Sequence, residues 1–192
     1  MNLPNSLTLL RLGITVFFVA SLTLVYPWHA TVALALFLLA TLTDYLDGEI
    51  ARRKNLITDF GKLMDPLADK VLTASAFICL IPLIPNGALP AWTVIIIISR
   101  EFLITGLRLL ASSKGIILPA EKLGKHKTAW QMAAIIFFLV QLSVGEFFPD
   151  SPSTFSTIWS YGGSGFVTIT VALTIFSGLA YFWKNRSLLT EE

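Results

Sequence analysis

The sequence predicts an all-α integral membrane protein with six transmembrane helices. Of the 192 residues, 55% are hydrophobic and only 14% are charged, and the mean hydropathy is +0.74. Soluble domains carry about 25% charged residues, so this chain is depleted in charge. Its apolar runs are continuous rather than alternating, which argues against a β-barrel, and a spanning helix needs about 20 such residues. We therefore expect one transmembrane domain over residues 1–192.

The apolar runs place the six helices in order along the chain. We interpret the first run as a retained helix rather than a cleaved signal peptide, because no positive charge precedes Arg11. The segment FFPDSPSTFSTIWSYGGSG is rich in proline, serine and glycine, which predicts an external loop before the sixth helix. The predicted spans cover about 7–26, 30–53, 60–84, 91–112, 123–145 and 159–183.

The basic residues predict the orientation. All 14 Lys and Arg lie at or toward the N-terminus, the loop between helices two and three, the loop between helices four and five, or the C-terminus. The positive-inside rule places these regions, and so both termini, in the cytoplasm. Trp28, Trp92 and Trp159 lie near the opposite boundaries, as in an aromatic belt. We expect a multi-pass plasma-membrane protein, and a compact chain without a transit peptide leads us to expect a bacterial source.

Four aspartates flank the cytoplasmic loop between the second and third helices. Asp44 and Asp47 are spaced i, i+3, and Asp65 and Asp69 are spaced i, i+4, so each pair lies on one helical face. The two helices run antiparallel, so the pairs can face each other, and four converging carboxylates need a positive partner. Oxygen ligands suit Mg²⁺, Mn²⁺ or Ca²⁺. The alternative is a charge belt in which these aspartates pair with nearby arginines and lysines.

Small residues accompany the aspartates. Gly48 and Ala51 extend the face of Asp47, where they leave room for a ligand or for a neighbouring helix. Arg52 follows Asp44 by two turns and can reach an anionic group. On the third helix, Gly61 precedes Asp65 by four residues and clears space there. Two interpretations of Pro66 stay open. Either Asp65 is the N-cap of a helix and Pro66 its first residue, or Pro66 kinks a helix that begins near Asp59.

The stretch from Asp44 to Asp69 resembles the CDP-alcohol phosphotransferase family, whose motif is D-x-x-D-G-x-x-A-R followed by G-x-x-x-D-x-x-x-D. The resemblance implies six membrane helices around a cytoplasm-facing site, and a homodimer. It implies two divalent cations, Mg²⁺ or Mn²⁺, on the pyrophosphate of a CDP-linked donor, held by Asp44, Asp47, Asp65 and Asp69. It further implies that Asp69 is the general base, and that the cytidine diphosphate pocket is lined by Gly48, Ala51, Arg52 and Gly61.

This chemistry is consistent with the residue types. Displacing CMP from a CDP-lipid moves negative charge onto the leaving phosphate, and two cations stabilise both the attacking and the leaving oxygens. The acceptor alcohol attacks well only when its proton is removed, which a carboxylate within hydrogen-bond reach can do.

Two basic stretches bear on the acceptor. SREFLITGLRLLASS places Arg100 and Arg108 near one face of the fourth helix, and Glu101 leaves open a structural pair with Arg100. EKLGKHKTAWQ supplies Lys125 and Lys127 where the fifth helix begins, with attraction to anionic lipid as the alternative role.

Within the family, these stretches and the opening NLPNSLTLLR resemble members whose acceptor is sn-glycerol 3-phosphate. The resemblance implies transfer of a phosphatidyl group from CDP-diacylglycerol to that acceptor, which gives phosphatidylglycerophosphate and CMP. The acceptor phosphate would meet Arg108 and Lys125, with Arg100 or Lys127. The first helix would close the site with Asn5, Thr8 and Arg11, and Asn5 and Thr8 would contact the donor.

Two alternatives remain at this point. Another acceptor alcohol, such as serine, inositol phosphate or phosphatidylglycerol, would keep the same fold and motif. A cation transporter would use the four aspartates as an ion site, although the motif has no second copy along the chain. We expect membrane lipid as a partner and no nucleic acid.

Overall fold

The structure, a computed structural model, describes residues 3–24, 26–54, 59–113, 115–116, 122–149 and 153–186. It describes the backbone and not the side chains over residues 3–5, 7, 44–54, 59–66, 86, 122–123 and 153–156. The described part of the chain contains six α-helices, one 3₁₀ turn at Pro85–Gly87 and no strand. The prediction of an all-α fold with six helices is therefore confirmed.

The six helices follow the predicted order closely. Most ends lie within four residues of the predicted ones, and α3 begins at Asp59, so Pro66 lies inside that helix. The bounds are α1 Leu3–Thr23, α2 His29–Lys54, α3 Asp59–Leu80, α4 Ala91–Ser113, α5 Lys122–Phe147 and α6 Ser153–Lys184.

The end of α3 comes four residues earlier than predicted. The apolar run continues to Ile84, but the helix ends at Leu80, whose carbonyl accepts hydrogen bonds from the N–H groups of Leu83 and Ile84 at 3.1 Å. Pro82 and Pro85 lack the backbone N–H that a helix needs, so the run closes as a turn instead.

The predicted loop before α6 is wrong in most of its length. The helix begins at Ser153 rather than near 159, so residues 153–158 are helical. Composition misled the prediction because serine and threonine, four of these six residues, each cost a helix less than about 1 kcal/mol. The glycines at 162, 163 and 165 lie inside the helix as the predicted span had them, and Gly163 is buried.

Two helical segments among the described residues are long and apolar enough to cross a membrane by length and composition. They are Gly124–Phe147, with 24 residues, and Thr157–Lys184, with 28. Shorter apolar segments cover Thr8–Thr23 and His29–Thr43.

The described residues divide into two compact units. The first comprises Met1–Ile84 and Ile135–Ser156, and in it α1 packs against both α2 and α3. The rings of Phe18 on α1 and Phe37 on α2 lie 5.7 Å apart, and both side chains are fully buried. The second unit comprises Pro85–Ala134 and Thr157–Glu192, with a buried cluster of Ile104, Leu107 and Tyr181. That the two form one catalytic domain stays a prediction.

The N-terminus of α2 is capped by Glu146 from the last turn of α5. The N–H groups of Ala30 and Thr31 donate to its two carboxylate oxygens at 2.7 and 3.0 Å, and the Thr31 hydroxyl donates at 2.6 Å. The first N–H groups of a helix have no partner within the helix, and the helix dipole favours an anion there. Glu146 therefore ties α5 to α2, the helix that carries Asp44 and Asp47.

We predict that Glu146→Gln lowers the thermal stability of the detergent-solubilised protein by about 1.5–3 kcal/mol, because it removes hydrogen bonds to a charged acceptor. Thr31→Ala removes one of the donors and should cost about 1 kcal/mol. Thr168→Ala is the matched control, because that exposed hydroxyl donates only to the Ser164 carbonyl of its own helix. A Glu146→Gln variant that melts like the unsubstituted protein would contradict this cap.

Candidate active site

The aspartates lie on two continuous helices. The backbone of α2 is helical through Asp44 and Asp47, and that of α3 through Asp65 and Asp69. The predicted spacings therefore fall on regular helical turns. Asp69 is half-buried, and its carbonyl accepts a hydrogen bond from the Thr73 hydroxyl at 3.1 Å. The other three carboxylates lie outside the described side chains, so the convergence of all four stays a prediction.

The beginning of α1 lies level with the turn that bears Asp44 and Asp47. The Ser21 hydroxyl, near the end of α1, donates to the carbonyl of His29 at the start of α2, so the two helices run antiparallel. From the Phe18–Phe37 contact, ten residues back along α1 and ten forward along α2 each span about 15 Å. Those steps end at Thr8 and at Asp47.

Two predicted site residues of α1 are buried at this level. Thr8 is 0% exposed and Arg11 is 1% exposed. Their place is consistent with the expectation that α1 closes this end of α2. The remaining predicted donor residues lie on described backbone but outside the described side chains: Asn5 on α1, Gly48, Ala51 and Arg52 on α2, and Gly61 on α3.

Arg100 and Lys127, both predicted to meet the acceptor, converge on Glu101. Lys127 Nζ donates to Glu101 Oε1, and Arg100 Nη1 donates to the same oxygen at 3.2 Å. Lys127 is 2% exposed, so its charge is removed from solvent. The pair of Arg100 with Glu101 that the sequence left open is present, and Lys127 joins it. Two cations share one carboxylate, which leaves the group with one net positive charge.

α6 holds the other side of Arg100. Arg100 Nη2 donates to the Ser177 hydroxyl at 3.2 Å. A Cβ placed on Gly178 would lie 3.1 Å from Arg100 Cγ, so the glycine leaves room for the arginine stem. Sequence reasoning missed both residues, and their one signal is a Ser-Gly pair within an apolar helix.

Arg108 and Lys125 have different surroundings from the other two cations. Both are exposed. Arg108 Nε donates to the Tyr181 hydroxyl at 3.2 Å, and its guanidinium carbon lies 5.4 Å from the centre of the Tyr181 ring. No carboxylate is among the contacts described for Arg108. Tyr181 was also missed, because it lies 73 residues from Arg108 in a stretch without a motif.

Comparison with known proteins places the chain in a family. Residues 1–180 match the model of the CDP-alcohol phosphatidyltransferases. The chain belongs to this family, which confirms the resemblance that the aspartate motif indicated.

The most similar relatives include two transferases with one name. The chain is 37% identical to the CDP-diacylglycerol–glycerol-3-phosphate 3-phosphatidyltransferase of Bacillus subtilis, over 98% of this chain and 97% of the relative. It is 33% identical to the protein of the same name from Rickettsia bellii, over 94% and 93%. A "probable phosphatidylglycerophosphate synthase" of Mycobacterium tuberculosis is 43% identical, over 74% and 68%.

We predict that the Glu101 group is a structural unit. Lys127→Met should lower the thermal stability by about 3 kcal/mol, because it leaves a poorly exposed carboxylate with one partner fewer. The matched control is Lys125→Met, two residues earlier on the same helix but exposed, which should change stability by less than about 0.5 kcal/mol.

The double variant Glu101→Gln/Lys127→Met should recover part of the loss, since it removes the charge that Lys127→Met leaves behind. Equal melting temperatures for Lys127→Met and Lys125→Met would contradict the structural role of the group.

Proposed function

We propose that this protein transfers the phosphatidyl group of CDP-diacylglycerol to sn-glycerol 3-phosphate, which yields phosphatidylglycerophosphate and CMP in phospholipid biosynthesis. One observation carries the proposal. The complete eight-position aspartate motif lies in a chain that is 37% identical, over 98% of its length, to a relative named for this reaction.

Asp44, Asp47, Asp65 and Asp69 would hold two divalent cations, Mg²⁺ or Mn²⁺. The donor set fits, because carboxylate oxygens are the ligands these ions prefer and each pair shares a face of a continuous helix. When bound, the cations stabilise charge on the attacking and leaving oxygens. Asp69 accepts the proton of the acceptor hydroxyl, and Arg52 meets the charge of the donor phosphates.

The acceptor phosphate is held by Arg108 and Lys125. Both side chains are exposed. The contacts described for Arg108 include no carboxylate that would neutralise its charge. Arg100 and Lys127 contribute a net positive charge through their group with Glu101 rather than two free cations. A dianionic acceptor needs such basic residues, whereas a neutral or zwitterionic acceptor such as serine would not need both Arg108 and Lys125.

The protein acts in the plasma membrane with six spanning helices, both termini in the cytoplasm, as a homodimer. Large apolar side chains on α1 and α6 support the membrane environment, since Phe17, Phe176 and Trp183 are 68%, 71% and 72% exposed. At the end of α6, the guanidinium carbon of Arg186 lies 5.2 Å from the centre of the Trp183 ring. Arginine and tryptophan are typical anchors at a membrane surface.

We expect purified protein to release CMP only when CDP-diacylglycerol, glycerol 3-phosphate and a divalent cation are all present. EDTA should abolish release, and Mg²⁺ or Mn²⁺ should restore it. Asp69→Asn should lower kcat by about 10²–10⁴-fold, the usual contribution of a general base, while some binding of CDP-diacylglycerol remains. CMP release that survives EDTA would count against the mechanism, and ion flux in proteoliposomes without CMP release would favour a transporter.

We expect Arg108→Ala to raise the KM for glycerol 3-phosphate by about 10- to 100-fold, because charge-assisted hydrogen bonds to the phosphate are lost. The KM for CDP-diacylglycerol should not change. Arg186→Ala is the matched control, an exposed arginine that also stacks on an aromatic ring of α6, and both constants should stay as they are. An unchanged KM for glycerol 3-phosphate in Arg108→Ala would show that the acceptor pocket lies elsewhere. CMP-release assays with serine, inositol phosphate and phosphatidylglycerol in place of glycerol 3-phosphate would identify another acceptor.

A further inference from the structure

We propose that Tyr181 is a positioning residue. It holds the Arg108 guanidinium so that the two terminal nitrogens of Arg108 bind the acceptor phosphate. The inference rests on the proposed function, in which Arg108 contacts that phosphate. Tyr181 itself does not touch the reacting atoms.

Tyr181 is itself held firmly. It is 2% exposed and belongs to a buried cluster with Ile104 and Leu107, which lie on α4 just before Arg108. The ring therefore packs against the same helical segment that presents the arginine. A buried tyrosine hydroxyl requires a hydrogen-bond partner, and here the partner is Arg108 Nε at 3.2 Å.

The contact with Tyr181 uses one N–H donor of the Arg108 guanidinium and leaves the other donors available to a ligand. Arginine has five N–H donors in a planar fork, and Tyr181 takes the one on Nε. The four N–H groups on Nη1 and Nη2 remain, and these two nitrogens can bind two phosphate oxygens in a bidentate manner. No carboxylate is described in contact with Arg108, whereas Arg100 on the same helix gives Nη1 to Glu101 and Nη2 to Ser177.

The ring restricts the guanidinium in a second way. The arginine carbon lies 5.4 Å from the ring centre, within the distance at which a cation is attracted to an aromatic face. A free arginine side chain loses rotamer entropy when it is fixed against a ligand. An arginine that the protein already holds loses less on binding, so the effect of Tyr181 falls on acceptor affinity rather than on the chemical step.

Tyr181→Phe tests this directly, because it removes the hydroxyl and keeps the ring. We expect the KM for glycerol 3-phosphate to rise about three- to tenfold, the factor associated with one hydrogen bond. The kcat at saturating acceptor and the KM for CDP-diacylglycerol should stay within about twofold. Tyr161→Phe is the matched control, on the same helix and 77% exposed, and should change none of these constants.

A double-mutant cycle separates positioning from a merely structural role. In an Arg108→Ala background, Tyr181→Phe should have no further effect on the acceptor KM, because the residue it acts through is gone. An unchanged acceptor KM in Tyr181→Phe would overturn the inference, as would the same rise in both backgrounds.

The cycle also shows which proposal fails. If Arg108→Ala alone leaves the acceptor KM unchanged, the assignment of Arg108 is wrong and the inference falls with it. If Arg108→Ala raises the acceptor KM and Tyr181→Phe does not, Arg108 keeps its role and only the inference is lost. Absence of CMP release with glycerol 3-phosphate in the unsubstituted protein would instead overturn the proposed function.

Discussion

Every buried charge in a largely apolar helical chain needs a partner, and the described structure depends on how its carboxylates meet that requirement. The free-energy cost of burying an unpaired ion is large, so each buried or half-buried carboxylate needs hydrogen-bond donors from elsewhere in the chain. Glu146 accepts hydrogen bonds from the first N–H groups of α2, and Glu101 pairs with the guanidinium of Arg100 and the ammonium of Lys127. Each carboxylate thereby joins two helices, α2 to α5 in one case and α4 to α5 in the other.

The same requirement explains why two arginines on one helix have different surroundings. Arg100 and Arg108 lie eight residues apart on α4 and share a face in the sequence pattern. The structure gives Arg100 a carboxylate and a hydroxyl, so both of its terminal nitrogens donate within the protein. It gives Arg108 a phenol and a ring face, which orient a cation without neutralising it. A charge that is oriented and not neutralised is what an anionic substrate requires.

Much of the fold follows from the sequence, and the exceptions have physical causes. Continuous apolar runs give the number of helices, and the aspartate spacing gives the faces of α2 and α3. The end of α3 was misjudged because hydropathy does not register the missing N–H of Pro82, and the start of α6 was misjudged because serine and threonine content is weak evidence against a helix.

The contacts around the basic residues could not be read from the sequence. Lys127 reaches Glu101 across 26 residues, Arg108 reaches Tyr181 across 73, and Ala30 reaches Glu146 across 116. Such pairs depend on which helices pack together, which local patterns do not contain. The motif on α2 and α3 predicts the reacting carboxylates, but the surroundings of the α4 arginines come from Ser177, Gly178 and Tyr181 on α6, where no motif lies. If Arg108 holds the acceptor as proposed, a substitution on α6 changes how tightly the acceptor is held while every motif residue stays the same, so the motif would set the reaction class and α6 the acceptor affinity.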